Sequence, residues 1–140
     1  MKIRRAKRGD LKVIAEIFKK ESNDVYGTKY DSISALKQIK ECFGSELFVA
    51  AFEKEIIAFV AAYITSSDKK QVYIDELWVK ADFQGKGVGR LLMDFLEKFY
   101  KKRGIERIRL VARRSAGAYK FYKKLNYKDY KDLIFMEKKI

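Results

Sequence analysis

Apolar residues change their spacing along this chain, and each change marks an element. Lys2 to Ala6 predicts a short strand. Gly9-Asp10 then offers an N-cap, and Leu11, Ile14, Ile17 and Phe18 recur at helical spacing until Ser22-Asn23-Asp24 ends the run. A loop through Gly27 leads to a second capping pair, Asp31 and Ser32. Ile33, Leu36, Ile39 and Phe43 follow as a second amphipathic helix, stopped by Gly44.

The period next falls to two. Leu47 to Phe52 and Ile56 to Ile64 are β-branched and aromatic runs joined by the charged Glu53-Lys54-Glu55, which predicts an antiparallel hairpin. After the turn at Ser66-Ser67-Asp68, Gln71 to Lys80 is a third strand, with Leu77 and Val79 on one face and Ile74, Glu76 and Trp78 on the other. Beyond a turn at Asp82 to Gly85, residues Val88, Leu91, Leu92, Phe95, Leu96 and Phe99 step at three and four, so this helix packs one face on the sheet and stops at Gly104. Ile105 to Ala112 reads as a strand. Ser115 caps a helix carrying Ala118, Tyr119, Tyr122 and Leu125, and Tyr127 to Met136 closes the chain as strand or hairpin. The expected order is β-α-α-β-β-β-α-β-α-β, an α/β (α+β) chain without repeat or linker, and residues 1–140 are expected to form one domain.

Composition narrows the chemistry. With 140 residues, 48% of them hydrophobic, one core suffices, and about 70% of the unfolded surface is expected to be buried without metal or disulfide. The single Cys42 beside Phe43 predicts a packed, reduced thiol and hence a reducing cytoplasm. Histidine is absent, which excludes Ser-His and Cys-His catalysis, His-ligated zinc and an imidazole base. Acid-base chemistry falls to carboxylate, tyrosine, lysine or water. No eighteen consecutive apolar residues occur, so a soluble, untargeted protein with no membrane partner is expected. Lys plus Arg is 32 against 19 Asp plus Glu, a net charge of +13. The lysines are spread over the whole chain with no aromatic-basic block, so nucleic acid is not expected as the primary partner.

The informative segment is Gln84-Gly85-Lys86-Gly87-Val88-Gly89-Arg90, between a buried-looking strand and an amphipathic helix. A helix start presents backbone N–H groups without internal partners and the positive end of the dipole. Glycines let a diphosphate approach them, and Lys86 and Arg90 add charge. The Rossmann frame fails because Arg90 stands at its third glycine, and no Gly-Lys-Ser or Gly-Lys-Thr supplies a Walker loop.

Here the sequence resembles the GNAT superfamily, the GCN5-related N-acetyltransferases. Their pyrophosphate loop has the form Q/R-x-x-G-x-G/A, met by Gln84, Gly87 and Gly89, and the wider run from Glu76 through Gly89 is also similar to the family's strand and loop. Downstream, Ser115, Ala118, Tyr122 and Asn126-Tyr127 stand where the family often has an Asn cap, an Ala, a Tyr and a Gly-Phe pair. Ser115 is shorter than Asn, while Asn126 can replace Gly in a left-handed backbone.

The resemblance implies a mixed, mostly antiparallel sheet flanked by helices, whose parallel strands near 77–79 and 108–112 splay apart. It also implies acetyl-CoA as co-substrate. Pantetheine would add like a strand to the main chain of Leu77 and Val79 beside Trp78, the diphosphate would sit on Gln84, Gly85, Lys86, Gly87, Val88, Gly89 and Arg90, and Ser115, Ala118 and Tyr122 would complete the cofactor site. Tyr122 is then the acid that protonates the coenzyme A thiolate.

For the base, Glu76 is the candidate, because a carboxylate among Ile74 and Trp78 has a raised pKa. Asp75 is its competitor, and a water relay is equally open. The expected activity is direct acetyl transfer to a primary amine in a ternary complex, with no covalent enzyme intermediate and no metal. Two other readings stay open, an acyl-CoA sensor of the same fold that does no chemistry and a basic nucleic-acid-binding module. The acceptor is not identified: peptide N-termini, lysine side chains, polyamines and small amines all fit, as do a monomer and a homodimer.

Overall fold

The computed structural model describes residues 1–42 and 46–140. The chain divides into two compact units, Met1–Leu110 and Val111–Ile140. In the first unit the order is β1 (Lys2–Arg5), α1 (Leu11–Tyr26), α2 (Ser32–Cys42), β2 (Glu46–Phe52), β3 (Glu55–Ile64), β4 (Gln71–Val79), α3 (Val88–Lys101) and β5 (Arg107–Arg109). The second unit holds α4 (Gly117–Lys124).

The five strands form one sheet in sequence order. The β1–β2, β2–β3 and β3–β4 ladders are antiparallel and β4–β5 is parallel. The mixed, mostly antiparallel α/β architecture expected from the sequence is therefore present. Strands β2 and β3 are joined through Glu53 and Lys54, both with positive φ, the mirror-image turn whose twist matches that of the strands.

Helices α1 and α2 cover one face of the sheet. Leu11, Ile14, Phe18, Ala35 and Ile39 pack there with Leu47, Val49, Phe59 and Ala61, and Trp78 lies against this cluster. Burying each such Ile, Leu or Phe contributes about 1.5–3 kcal/mol, so this layer fixes where β4 lies. Helix α3 covers the other face, where Phe48 meets the rings of Phe95 and Phe99 at 5.2 and 5.0 Å.

Several boundaries differ from the sequence reading. Helix α1 does not end at Ser22-Asn23-Asp24 but runs to Tyr26 and closes on Gly27 at φ 65°. Asn23 is no breaker because its amide is used elsewhere: Nδ2 donates to the Tyr30 carbonyl at 3.0 Å and Oδ1 accepts the Tyr30 N–H at 3.0 Å, holding the α1–α2 loop. Asp31 does cap α2, accepting the Ser34 N–H at 2.7 Å, yet the buried face is Ala35, Ile39 and Cys42, and Ile33 is exposed. Phe43 and Gly44, expected to finish this helix, lie outside the described residues. On α3, Leu91 is exposed and Met93 is buried instead. Strand β5 has three residues rather than the eight of 105–112, and no strand forms over 127–136. Parallel pairing at a sheet edge demands a partner in register, and alternation in the sequence does not supply one.

Candidate active site

The face assignment of β4 turns on one residue. Ala62 pairs with Ile74 and Ala61 with Glu76, so Asp75 is an extra residue, a β-bulge. Because Ala61 and Ala62 point to opposite faces, so do Glu76 and Ile74. The expectation that Ile74, Glu76 and Trp78 share a face is thus corrected: Ile74 is buried on the α3 side with Leu77 and Val79, whereas Glu76 and Trp78 face α1 and α2. An uninterrupted alternation was assumed, and the bulge breaks it.

The bulge gathers a group of ionisable side chains. The Trp78 indole Nε1–H donates to Glu76 Oε2 at 2.5 Å. Burial pushes the Glu76 carboxyl up to about 7 against the opposing effect of that donor, and Asp75 adds a smaller upward push. The Cys42 thiol donates to Asp75 Oδ2 at 3.6 Å, so α2 brings it beside the acid pair although it is more than thirty residues away in sequence. Burial, then Asp75 and Glu76, raise this thiol to about 12, which keeps it protonated and poorly nucleophilic. Tyr63 and Tyr73 stand 5.5 Å apart between their ring centroids, and burial, with Asp75 contributing, raises both phenols. Tyr26 meets Trp78 edge-on at 5.7 Å. The result is an acidic, aromatic-walled surface on a chain of net charge +13.

The far end of β4 leads into the glycine-rich turn. Ala81–Phe83 is a 3-10 turn, Gly85 and Gly87 adopt φ of 73° and 83°, and Gly87 is the N-cap of α3. Only glycine adopts such a backbone without strain. No side chain caps α3 and no acidic residue lies in its first turn, so the N–H groups of Val88, Gly89 and Arg90 precede the first intrahelical bond, Leu91 N–H to the Gly87 carbonyl at 3.0 Å. Open space surrounds the position of a Cβ at both Gly85 and Gly87. Lys86 is exposed, with Nζ 5.6 Å from the Phe83 ring centroid, and Arg90 is exposed on the first turn. These are the features an anion such as a diphosphate requires, so the residues present fit a phosphate-bearing ligand.

Gln84 differs from expectation. Its side chain folds back onto the end of β4, Nε2 donating to the Val79 carbonyl at 2.8 Å and lying 3.5 Å from Glu21 Oε1. Val79 is therefore already bonded through its carbonyl. The parallel ladder runs only from Gln71↔Arg107 to Tyr73↔Arg109, so β4 continues through Leu77, Trp78 and Val79 past the end of its partner. The parallel pair expected near 77–79 and 108–112 is thus paired only at 71–73 and 107–109. Sequence reasoning missed Glu21, a buried carboxylate of α1 that accepts the Ala81 N–H at 3.1 Å. A Glu at a polar-looking helix position carries no sign of burial, and only the fold reveals it.

In the second unit, Ser115 is not the cap of α4. Ala116 holds that position with no side-chain bond, and Ala118 lies in the first turn. Tyr122 is buried, with its ring 5.4 Å from Tyr127 and 5.0 Å from Phe121. Asn126 takes φ 68°, the left-handed role expected of it. Tyr119 Oη donates to Asp129 at 2.8 Å and Lys123 lies 3.2 Å from it, and these bonds hold the Asp129 carboxyl down at about 2.

The sequence model of the Acetyltransferase (GNAT) family matches residues 11–127. The chain belongs to this family. An uncharacterized N-acetyltransferase of Methanocaldococcus jannaschii is 33% identical over 87 residues, 59% of this chain, and the match spans only 38% of that relative's length. Among solved structures, a possible acetyltransferase from Clostridium difficile 630 superposes with a TM-score of 0.86 at 20% identity, covering 99% of this chain and 97% of that one. An aminoglycoside acetyltransferase from an uncultured soil metagenomic sample, in complex with sisomicin, gives 0.76 at 21% identity over 99% and 95%. A predicted acetyltransferase with acetyl-CoA from Clostridium acetobutylicum gives 0.74 at 20% identity over 97% and 95%. At such identities these solved structures establish the fold alone. A cleft of about 700 Å³ between α1 and residues 80–82, lined in part by Lys12, Glu16 and Glu21, borders the entry to the glycine turn rather than the acid pair. Among the described residues no helix is long and apolar enough to cross a membrane.

Proposed function

We propose that this GNAT protein moves an acetyl group from acetyl-CoA to a primary amine by direct transfer in a ternary complex, with residues 1–140 acting as one catalytic domain. One observation carries the reading: β4 leads into an uncapped, glycine-lined helix start and, eight residues before Gln84, carries a carboxyl whose pKa is about 7. An anion cradle alone suits any phosphate ligand. A half-ionised carboxylate on the same strand adds a base matched to neutral pH.

Acetyl-CoA supplies an activated acyl group when bound. The main-chain N–H groups of residues 85–90 would hold its diphosphate, helped by Lys86 and Arg90. The main chain of Leu77 and Val79 would bond the pantetheine arm, and the family resemblance also assigns Ser115 and Ala118 to the cofactor. Glu76, directly or through water, takes the proton that an ammonium acceptor must lose before its nitrogen can attack. Tyr122 gives a proton to the departing sulfur. Asp75, Tyr63, Tyr73 and Trp78 offer a cation both opposite charge and aromatic faces, which supports an amine as acceptor. The high pKa of Cys42 disfavours an acyl-thiol enzyme.

Incubation with acetyl-CoA and a panel of amines, lysine peptides and polyamines, following free thiol release, tests this reading. Amine-dependent thiol release supports it. Tight coenzyme A binding without release for any amine replaces it with an acyl-CoA sensor, and duplex nucleic acid outcompeting coenzyme A removes it.

A further inference from the structure

Glu21 is one of the two polar residues of the described chain buried to 3% exposure or less, and the other, Ser22, is its neighbour in α1. Burying a carboxylate is unfavourable unless donors satisfy it. Here the donors come from one place. Oε2 accepts the Ala81 N–H at 3.1 Å, which is the first N–H of the 3-10 turn leading to the glycines. Oε1 lies 3.5 Å from Gln84 Nε2, the same nitrogen that donates to the Val79 carbonyl at 2.8 Å. Lys20 Nζ lies 3.9 Å from Oε2. The carboxylate therefore joins the end of β4, the 3-10 turn and the residue just before Gly85, sixty residues away in sequence.

From this arrangement we infer that Glu21 is a positioning residue for the phosphate turn. Through Ala81 and Gln84 it holds the chain that enters Gly85 and the uncapped start of α3. A turn rich in glycine has much conformational freedom to lose when it binds, and an anchor that orders its entry removes part of that cost beforehand. Gln84 then acts in the family loop pattern as the arm through which the anchor works, rather than as a side chain offered to the cofactor. Because α1 also packs Phe18 against Trp78, with ring centroids 6.5 Å apart, the same helix touches both the glycine turn and the acid-pair face.

This inference rests on the coenzyme A reading of the turn. The test measures coenzyme A binding by calorimetry, steady-state kinetics and thermal stability for wild type, Glu21→Ala, Glu21→Gln, Gln84→Ala and the Glu21→Ala/Gln84→Ala pair. Glu21→Ala should weaken coenzyme A binding about tenfold or more, the equivalent of one charge-assisted hydrogen bond. The acetyl-CoA KM should rise in step, while kcat at saturation stays within about twofold. Glu21→Gln keeps one acceptor oxygen and should lose less. The double variant should be only slightly weaker than Glu21→Ala, because the two side chains act as one device.

A lower melting temperature with wild-type coenzyme A affinity in both Glu21 variants makes the residue purely structural and overturns the inference. Should Glu21→Ala not fold, Glu21→Gln and Gln84→Ala decide alone, and unchanged affinity in both overturns it too. Failure of the wild type to bind coenzyme A sinks the cofactor reading itself, a result visible before any variant is made.

Discussion

The two ends of β4 do their work in different ways. At the glycine turn the proposed site belongs to the backbone: N–H groups at the start of α3, preceded by Gly85 and Gly87 in a left-handed conformation. At the bulge it belongs to side chains, and Glu76 owes its position to Asp75 being the extra residue and its pKa of about 7 to burial under α1 and α2. A backbone site is written in the residues that permit its conformation. A side-chain site depends on what surrounds it, so it should be sensitive to changes in protonation that leave the turn untouched.

The largest expected effect comes from the proposed base. Glu76→Gln should lower kcat by about 10²–10³-fold and abolish the acidic limb of the pH-rate profile, which in wild type should rise through pH about 7 as Glu76 ionises. Coenzyme A affinity should not change, and a wild-type profile in the variant sinks the assignment. The same substitution should also stabilise the fold above pH 7. Since the folded-state pKa of Glu76 is raised from 4.5 to about 7, the native state holds that proton more tightly. Its contribution is complete below pH 4.5 and lost as pH rises toward 7. Gln cannot ionise, so the melting-temperature difference between variant and wild type should open between these two values and vanish below the lower one.

At the other end of the strand, Gly87→Glu places a side chain at φ 83° and a negative charge at the helix start, and coenzyme A affinity should fall about a hundredfold by calorimetry. The Glu76 titration should survive in the apo protein. If the pH dependence of its stability were lost together with binding, the two ends would not be separable. Smaller still, Tyr122→Phe should lower kcat about tenfold, water serving as the substitute proton donor, with coenzyme A affinity within about twofold. Unaltered turnover removes Tyr122 from the mechanism.

The smallest effect sharpens the description of the acid pair. Asp75→Asn removes the like charge beside Glu76 and should move the acidic limb toward lower pH, by less than burial has moved it upward, because Asp75 is the lesser of the two upward influences. An acidic limb that stays put would mean that Asp75 faces solvent too freely to matter.

The glycine turn, α1, α3 and the hairpin of β2 and β3 were legible because each depends on neighbours a few residues apart: a period of two or 3.6, a cap, a residue that tolerates positive φ. Asn126 could be read as a left-handed position for the same reason. Other features could not. Nothing near Asp75 announces a bulge, and the strict alternation it interrupts assigned Ile74 to the wrong face. Cys42 meeting Asp75 and Glu21 meeting Ala81 are contacts across 33 and 60 residues of chain. Ser115 looked like a helix cap by residue type, yet the helix starts two residues later, after Ala116.

What the sequence by itself determined is the conformational vocabulary: which segments can be helix or strand, and where glycine leaves a helix start uncapped. Those properties are short-range, set by sterics and by hydrogen bonds within a few residues. What only the tertiary structure decided is the environment of the ionisable groups, from the pKa of Glu76 to the burial of Glu21. Desolvation and donor geometry are imposed by distant segments packing together, and no local pattern encodes them.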